Sequence, residues 1–236
     1  MIAPNPGADD RFGHTVALAG NRLIVGAPLE DSGATGIDGN LSDNSLADSA
    51  AIYVFELRAA EWVFSTYLKA SEPSEGDTFG GSIAASDQFI AATTEHSRGS
   101  FRGVQPYERV GAQWTVGKLL APRQTIGALA MDAGTLAAAD HSDQSGRNPR
   151  NERGPGSGTA FLFKRNTDGT WSDATRIKAS NPENGDRFGH SIALDGETLA
   201  VGARNEDSGS TGINGDQDDN SAEDGGAVYV RRLGVW

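Results

Sequence analysis

The stretch DRFGHTVALAGNRLIVGAP at residues 10–28 returns near the end of the chain as DRFGHSIALDGETLAVGAR at residues 186–204. The likeness continues without a gap, so that residues 10–54 align with residues 186–230 and 27 of these 45 positions are identical. A chain that repeats itself over this length is typical of a fold built from several copies of one small structural unit. The repeat is therefore the feature from which the fold can be predicted.

Two weaker copies lie between the strong ones. They open at Phe79-Gly80 and at Ile126-Gly127. The tryptophans follow the same rhythm, at Trp62, Trp114, Trp171 and Trp236. We expect one domain over residues 1–236 that contains four repeats, with residues 1–9 as a candidate to complete the last of them. The predicted repeats cover approximately residues 10–76, 77–124, 125–185 and 186–236.

Each repeat consists of short apolar runs bounded by Gly, Asn, Asp and Pro, without helical periodicity. In the first repeat these runs predict four strands, named a to d, at residues 12–19, 23–27, 51–57 and 62–69. A single four-stranded sheet cannot bury both of its faces, whereas copies arranged around an axis bury each face against a neighbour. The sequence therefore predicts an all-β fold, a β-propeller of four-stranded antiparallel blades. A β-sandwich or a β-solenoid is the alternative.

The motifs Phe12-Gly13 and Phe188-Gly189, together with Gly26-Ala27-Pro28, resemble the FG-GAP repeat. This resemblance implies the β-propeller of integrin α-subunits and of many bacterial extracellular proteins, and with it an extracellular or cell-surface location. The calcium loop of integrin-type repeats has no counterpart here, because only the tight turn at Gly20-Asn21 separates strands a and b. Four repeats are fewer than the seven usual in integrin-like propellers. Either four blades close on themselves, or the chain is part of a longer propeller whose open faces would self-associate.

The excess negative charge lies in the two long loops between strands b and c of the first and fourth repeats. Residues 30–49 contain five acidic residues, residues 206–224 contain seven, and neither contains a basic one, so together they equal the formal net charge of −12. Oxygen-bearing side chains alternate along both loops, which suits a hard cation such as Ca²⁺. The candidate calcium ligands are Asp38, Asn40, Ser42, Asn44, Asn214, Asp216, Asp218 and Asn220. The alternative is a solvated loop whose side chains bond their own backbone.

The b–c and d–a loops are also the predicted ligand-binding face, since loops on a rigid scaffold commonly carry binding residues. The third repeat differs from the others, because its b–c loop is basic. The candidate ligand-face residues are Asp31, Asp43, Asp207, Asp219, Arg147, Arg150 and Arg153.

Several functions are excluded or disfavoured by composition. A net charge of −12 repels nucleic acid and anionic lipid. No apolar run approaches the roughly 20 residues of a membrane helix, so we expect no membrane insertion. The chain contains no cysteine, and it shows neither a nucleophile elbow nor a phosphate-binding glycine loop before a helix. We therefore expect no enzymatic activity.

These observations predict a non-catalytic extracellular module for binding or adhesion. It would recognise a protein or a glycan through its b–c and d–a loops, with Ca²⁺ as a candidate cofactor. A structural spacer array in a large surface protein, or an accessory propeller of a secreted hydrolase, is the alternative.

Overall fold

The computed structural model describes residues 1–95, 102–121, 123–144 and 156–234, which form strands and turns without any helix. The chain divides into two compact units, unit 1 over residues 1–123 and unit 2 over residues 124–236. Each unit contains two antiparallel sheets. Since the described ranges hold no helix, they also hold none that is long and apolar enough to cross a membrane.

Unit 1 contains two four-stranded sheets in which neighbouring strands follow one another along the chain. Sheet 1 consists of β1 (Thr15–Ala19), β2 (Arg22–Ala27), β3 (Ala51–Arg58) and β4 (Glu61–Leu68). Sheet 2 consists of β5 (Ile83–Ala85), β6 (Phe89–Glu95), β7 (Arg102–Val110) and β8 (Gln113–Val116). Hairpins join neighbouring strands, so each sheet is a simple meander.

Unit 2 contains one four-stranded and one three-stranded sheet with the same sequential order. Sheet 3 consists of β9 (Ala128–Asp132), β10 (Thr135–Asp140), β11 (Thr159–Lys164) and β12 (Thr175–Ile177). Sheet 4 consists of β13 (Phe188–Asp195), β14 (Thr198–Ala203) and β15 (Ala227–Arg232). Within the described part of the chain, sheet 4 therefore has strands a to c and lacks strand d.

The all-β prediction is confirmed, and strands a to d of the first repeat lie where the apolar runs placed them. Strand a starts later than expected in sheet 1, at Thr15, whereas the equivalent β13 of sheet 4 starts at Phe188. Gly13 and Gly189 both have a φ of +94°, and in sheet 4 the strand continues across this glycine with a register shift between Phe188 and Ser191. The predicted single domain over residues 1–236, its repeat boundaries and the role of residues 1–9 in the last repeat stay predictions.

Two of the three Phe-Gly pairs, Phe79-Gly80 and Phe188-Gly189, lie where neighbouring sheets of one unit meet, whereas a Cβ on Gly13 would meet no atom within 4 Å. In unit 1, Phe79 is fully buried in the main core. A Cβ on Gly80, whose φ is +76°, would come within 2.9 Å of Ile52 in sheet 1. In unit 2, a Cβ on Gly189 would come within 2.9 Å of Ala139 in sheet 3. The phenylalanine thus fills the core, and the glycine allows the two sheets of each unit to approach closely.

Candidate functional site

Each unit carries one candidate site, which is the acidic loop that connects β2 to β3 in unit 1 and the acidic loop that connects β14 to β15 in unit 2. We call residues 30–49 in unit 1 acidic loop 1 and residues 206–224 in unit 2 acidic loop 2. Both loops leave the sheet at the end of strand b and return at the start of strand c. The two loops share a set of internal hydrogen bonds, and these bonds define the site more closely than the charge does.

A buried glutamate anchors the start of each loop. Glu30, with 1% of its surface exposed, accepts hydrogen bonds from the Ser32 amide at 3.0 Å and from Asn5 Nδ2 at 3.2 Å. Asn5 Nδ2 also donates to the Leu41 carbonyl at 2.9 Å. Tyr53 Oη in strand β3 donates to Asn5 Oδ1 at 2.9 Å. The first turn of acidic loop 1 is therefore attached to the sheet through one asparagine.

Acidic loop 2 repeats this arrangement. Glu206 accepts hydrogen bonds from the Ser208 amide at 3.1 Å and from Asn181 Nδ2 at 3.0 Å. Asn181 Nδ2 donates in turn to the Gln217 carbonyl at 2.8 Å, and Tyr229 Oη donates to Asn181 Oδ1. The two loops are copies of one repeat, identical at 12 of the 19 positions between residues 30–48 and 206–224, and the anchor residues are among the positions that they share. The anchor therefore fixes the loop backbone in both copies while the side chains at the other positions differ.

A lysine that follows strand β4 completes the anchor in unit 1. Lys69 Nζ lies 3.0 Å from Glu30 Oε2 and donates to Ser49 Oγ at 2.8 Å, and both members of the ion pair are buried. Burial lowers the pKa of Lys69, while the charge of Glu30 acts in the opposite direction. Ser49 Oγ also lies 3.2 Å from the Glu30 carbonyl. The lysine therefore joins the first and last residues of acidic loop 1 to the outer strand.

Sheet 3 contains the same three-residue arrangement at its own b–c loop. Lys178, which follows β12, lies with its Nζ 3.0 Å from Asp143 Oδ2 and 3.3 Å from Ser157 Oγ. Ser157 Oγ lies 3.4 Å from the Asp143 carbonyl. We call this set of acid, serine and lysine the loop clamp. Its members are Glu30, Ser49 and Lys69 in sheet 1 and Asp143, Ser157 and Lys178 in sheet 3.

A second recurring carboxylate holds the turn that precedes strand a. Asp186 Oδ2 accepts a hydrogen bond from the Glu183 amide at 2.7 Å, and Asp10 and Asp77 cap the equivalent turns. Burial raises the pKa of Asp186 from its ordinary 3.8 to about 6, with the charges of Glu183 and Glu206 adding to the effect. This d–a turn lies next to the anchor of acidic loop 2.

The predicted calcium ligands are all exposed. Asn40 Oδ1 accepts a hydrogen bond from the Ser42 amide, and Asp216 Oδ1 accepts one from the Asp218 amide, both at 3.0 Å. Asp38 Oδ1 accepts a hydrogen bond from the Tyr67 amide at 2.9 Å. These are side chain to backbone bonds of the kind that the solvated-loop alternative requires.

The remaining predicted ligands are asparagines at the surface of the loops. Asn220 Nδ2 donates to Glu183 Oε2 at 2.8 Å, and Asn44 and Asn214 are exposed. Over residues 1–95, 102–121, 123–144 and 156–234, no group of three or more His, Asp or Glu side chains is placed to hold a metal. The donor set therefore does not form a carboxylate cage, and we derive no function through Ca²⁺. Calcium binding stays a prediction.

The acidic members of the predicted ligand face are half-buried and cap the loop backbone. Asp31 Oδ1 accepts from the Asp48 amide at 2.9 Å, and Asp207 Oδ1 accepts from the Asp224 amide at 2.7 Å. Asp43 Oδ1 and Asp219 Oδ1 accept in the same way from serine amides two residues further on, at 3.0 and 3.1 Å. The basic members, Arg147, Arg150 and Arg153, lie outside the described residues.

Sequence reasoning missed the residues that hold the loops. The sequence shows Glu30 and Glu206 only as part of the charge of the loops, and it shows Lys69 and Lys178 only as the first residues of a repeated Lys-Ala-Ser segment, at residues 69–71 and 178–180. Their signal was the recurrence of a lysine after the outer strand together with an acid after strand b. The sequence shows that the lysine and the acid recur together, whereas only the folded structure shows that the two side chains form an ion pair.

Phe-Gly openings in three of the four repeats, meander sheets and long b–c loops together define a protein of the β-propeller repeat class. The family model described as the FG-GAP repeat matches residues 1–55 and 171–231. The chain is therefore an FG-GAP repeat protein, and its blade-like sheets fit the β-propeller that these repeats form. Curated proteins include no match to this sequence.

Proposed function

We propose that this chain is a non-catalytic binding module that acts outside the cell or at the cell surface and recognises a partner protein through its acidic loops. The observation that carries the proposal is the shared anchor of the two loops. Glu30 and Glu206 hold the backbones of the two aligned loops in the same way, and each loop is fixed before any partner arrives. A loop that is already ordered loses less entropy on binding, which raises affinity.

The chemistry of the partner follows from the charge. Acidic loop 1 carries five carboxylates and acidic loop 2 carries seven, without a basic residue in either. A surface of this sign attracts lysine- and arginine-rich protein surfaces, and the attraction weakens as salt screens it. A glycan ligand, and the role of a spacer or of an accessory propeller to a hydrolase, are the other outcomes of the experiment below.

The experiment compares the protein with two variants in binding to immobilised extracellular proteins and to a glycan array. The loop variant neutralises exposed acids in both loops (Asp38→Asn, Asp216→Asn and Asp218→Asn). The control variant neutralises three exposed acids outside the loops (Glu61→Gln, Asp173→Asn and Asp195→Asn). The proposal expects salt-sensitive binding of a basic protein that the loop variant loses and the control variant keeps.

Two results would contradict the proposal. Equal loss in both variants would mean that net charge, rather than the loops, causes binding. Blank results on every surface would favour the spacer. The calcium prediction has its own test, because EDTA should lower the melting temperature only if a cation is bound.

A further inference from the structure

Acidic loop 1 contains the triplet Asn40-Leu41-Ser42, in which a residue other than proline separates an asparagine from a serine. This is the acceptor triplet of N-linked glycans, and the sequence contains it once. The aligned triplet of acidic loop 2 is Asp216-Gln217-Asp218, which is not an acceptor. A triplet occurs often by chance, so the folded environment decides whether its asparagine can be modified.

The fold exposes both groups that the modification needs, the amide nitrogen of the asparagine and the hydroxyl of the serine. Asn40 and Ser42 are both exposed. Asn40 Oδ1 accepts a hydrogen bond from the Ser42 amide at 3.0 Å, so the oxygen faces the backbone. Over the part of the chain that the structure describes, neither Asn40 Nδ2 nor Ser42 Oγ has a hydrogen-bond partner. No bond within the protein has to break before a transferase reaches them.

The backbone of the triplet is held by its carbonyl groups. The Asn40 carbonyl accepts hydrogen bonds from Ser32 Oγ at 3.3 Å and from the Asp43 amide at 3.2 Å. The Leu41 carbonyl accepts one from Asn5 Nδ2 at 2.9 Å, which is part of the anchor of the loop. The acceptor side chains therefore project from a turn that is already ordered. An ordered turn loses less entropy when an enzyme binds it.

Acidic loop 2 builds the same turn without an acceptor. Asp216 Oδ1 accepts a hydrogen bond from the Asp218 amide at 3.0 Å, and the Asp216 carbonyl accepts one from Ser208 Oγ at 2.8 Å. The Gln217 carbonyl accepts one from Asn181 Nδ2 at 2.8 Å. A carboxylate has no N–H group and cannot form an N-glycosidic bond. The two loops therefore share a backbone conformation and differ in the chemistry that it presents.

We propose that Asn40 accepts an N-linked glycan from a glycosyl diphosphate lipid. Asn40 Nδ2 forms a bond to the anomeric carbon of the sugar and loses one proton to a base of the transferase. The bond from that carbon to the diphosphate oxygen breaks, and its electron pair leaves with the lipid diphosphate. The proposal rests on the extracellular location within the proposed function, since such glycans mark surface loops of secreted proteins. The glycan adds bulk to acidic loop 1 and leaves acidic loop 2 unmodified.

The test incubates the folded full chain with a single-subunit oligosaccharyltransferase and a synthetic diphosphate lipid that carries one N-acetylhexosamine. Intact mass counts the sugars that are transferred, and peptide mapping locates them. We expect one sugar per chain, on Asn40. A peptide with the sequence of residues 36–46, GIDGNLSDNSL, presents the triplet without the fold. We expect the folded chain to be modified at least as fast as this peptide, because its turn is ordered.

Four variants test the reasoning at exposed positions, and thermal unfolding checks that each of them is folded. Ser42→Ala should accept no sugar, whereas Ser42→Thr should accept one, because threonine also completes the triplet. Asn44→Gln is the matched control, since it changes an exposed asparagine of the same loop outside the triplet and should not affect transfer. The double variant Asp216→Asn/Asp218→Ser places a triplet on the equivalent turn of acidic loop 2 and should accept a second sugar.

The proposal is overturned if the folded chain remains unmodified, whether or not the peptide is modified. It is also overturned if Ser42→Ala accepts a sugar as the original chain does, or if the sugar maps to another residue. A single sugar on the double variant would contradict the argument that the shared turn presents the acceptor. None of these measurements involves a basic partner protein, so a failure of the acceptor site can be distinguished from a failure of the proposed binding function.

Discussion

Replacing Lys69 by methionine should destabilise unit 1 by about 3 kcal/mol. The substitution preserves much of the side-chain volume but removes the ammonium group, and Glu30 would stay buried with its charge. Breaking a buried ion pair from one side costs about 3 to 5 kcal/mol. The hydrogen bonds from Asn5 and the Ser32 amide would still stabilise the carboxylate, which places the expected loss at the lower end of that range.

The double variant Glu30→Gln/Lys69→Met separates the charge from the packing. The glutamine can still accept the hydrogen bond from Asn5, and no unpaired charge remains buried. Its expected cost is about 1 kcal/mol, because a buried pair replaced by neutral groups of similar volume is often close to neutral. The double variant should therefore be more stable than Lys69→Met alone.

Urea unfolding measured by hydrogen exchange of peptides from unit 1 provides the free energy of unfolding for that unit. Arg58→Met is the matched control, since Arg58 Nη2 also lies 2.9 Å from a carboxylate, Glu56 Oε2, but its side chain is 62% exposed. An exposed pair contributes about 1 kcal/mol or less. The reasoning is refuted if Lys69→Met costs no more than Arg58→Met, or if adding Glu30→Gln lowers stability further.

Three more substitutions test other parts of the fold. Asp186 has a folded pKa of about 6 against an ordinary 3.8, so its contribution is fully present below about pH 3.8 and is lost as the pH rises to about 6. The loss corresponds to about 3 kcal/mol, and urea titrations of Asp186→Asn should show a flatter pH dependence between pH 4 and 7. Gly158→Ala should destabilise unit 2 by about 3 kcal/mol or more, because φ is +80° and a Cβ would overlap the Phe188 carbonyl. Thermal unfolding measures the cost of both glycine substitutions. The control Gly111→Ala, at φ +64° with open space around it, should cost only about 1 kcal/mol in this assay. Tyr107→Phe should cost about 1 to 2 kcal/mol in urea, since it removes a buried 2.6 Å hydrogen bond to a backbone carbonyl of sheet 1; an unchanged midpoint would contradict this.

The strands were predictable because their signal is local. Apolar runs bounded by turn residues identify β2 and β3 to within a residue, and the repeat supplies the same answer twice. The start of strand a was less predictable, because β1 begins at Thr15, after the Phe-Gly motif, whereas β13 begins at Phe188, inside it, although Gly13 and Gly189 have the same φ of +94°. Almost identical local sequences therefore cannot show where the pairing with strand b begins.

The candidate site was only partly predictable. The concentration of acid in two loops is a property of the sequence, whereas the contact between Lys69 and Glu30 joins residues 39 positions apart. The alternating Asp and Asn residues fit two descriptions, since the oxygen that could bind a cation can also accept a bond from a nearby amide. In acidic loop 1, the backbone places the Ser42 amide 3.0 Å from Asn40 Oδ1. Whether these side-chain oxygens bind a cation or accept a bond from the backbone therefore depends on the three-dimensional path of the loop.

The loop clamp separates the part of the chain that specifies the sheet from the part that can vary. In sheet 1 the acid and the serine are Glu30 and Ser49, and in sheet 3 they are Asp143 and Ser157, so the same closure spans segments of different length. In sheet 1 the segment is also attached in its interior, because the Lys69 amide donates to the Gly36 carbonyl and the Asp38 amide donates to the Tyr67 carbonyl. A foreign sequence grafted between the clamp residues should therefore leave the sheet intact if it keeps this attachment, which defines where new recognition loops can be engineered.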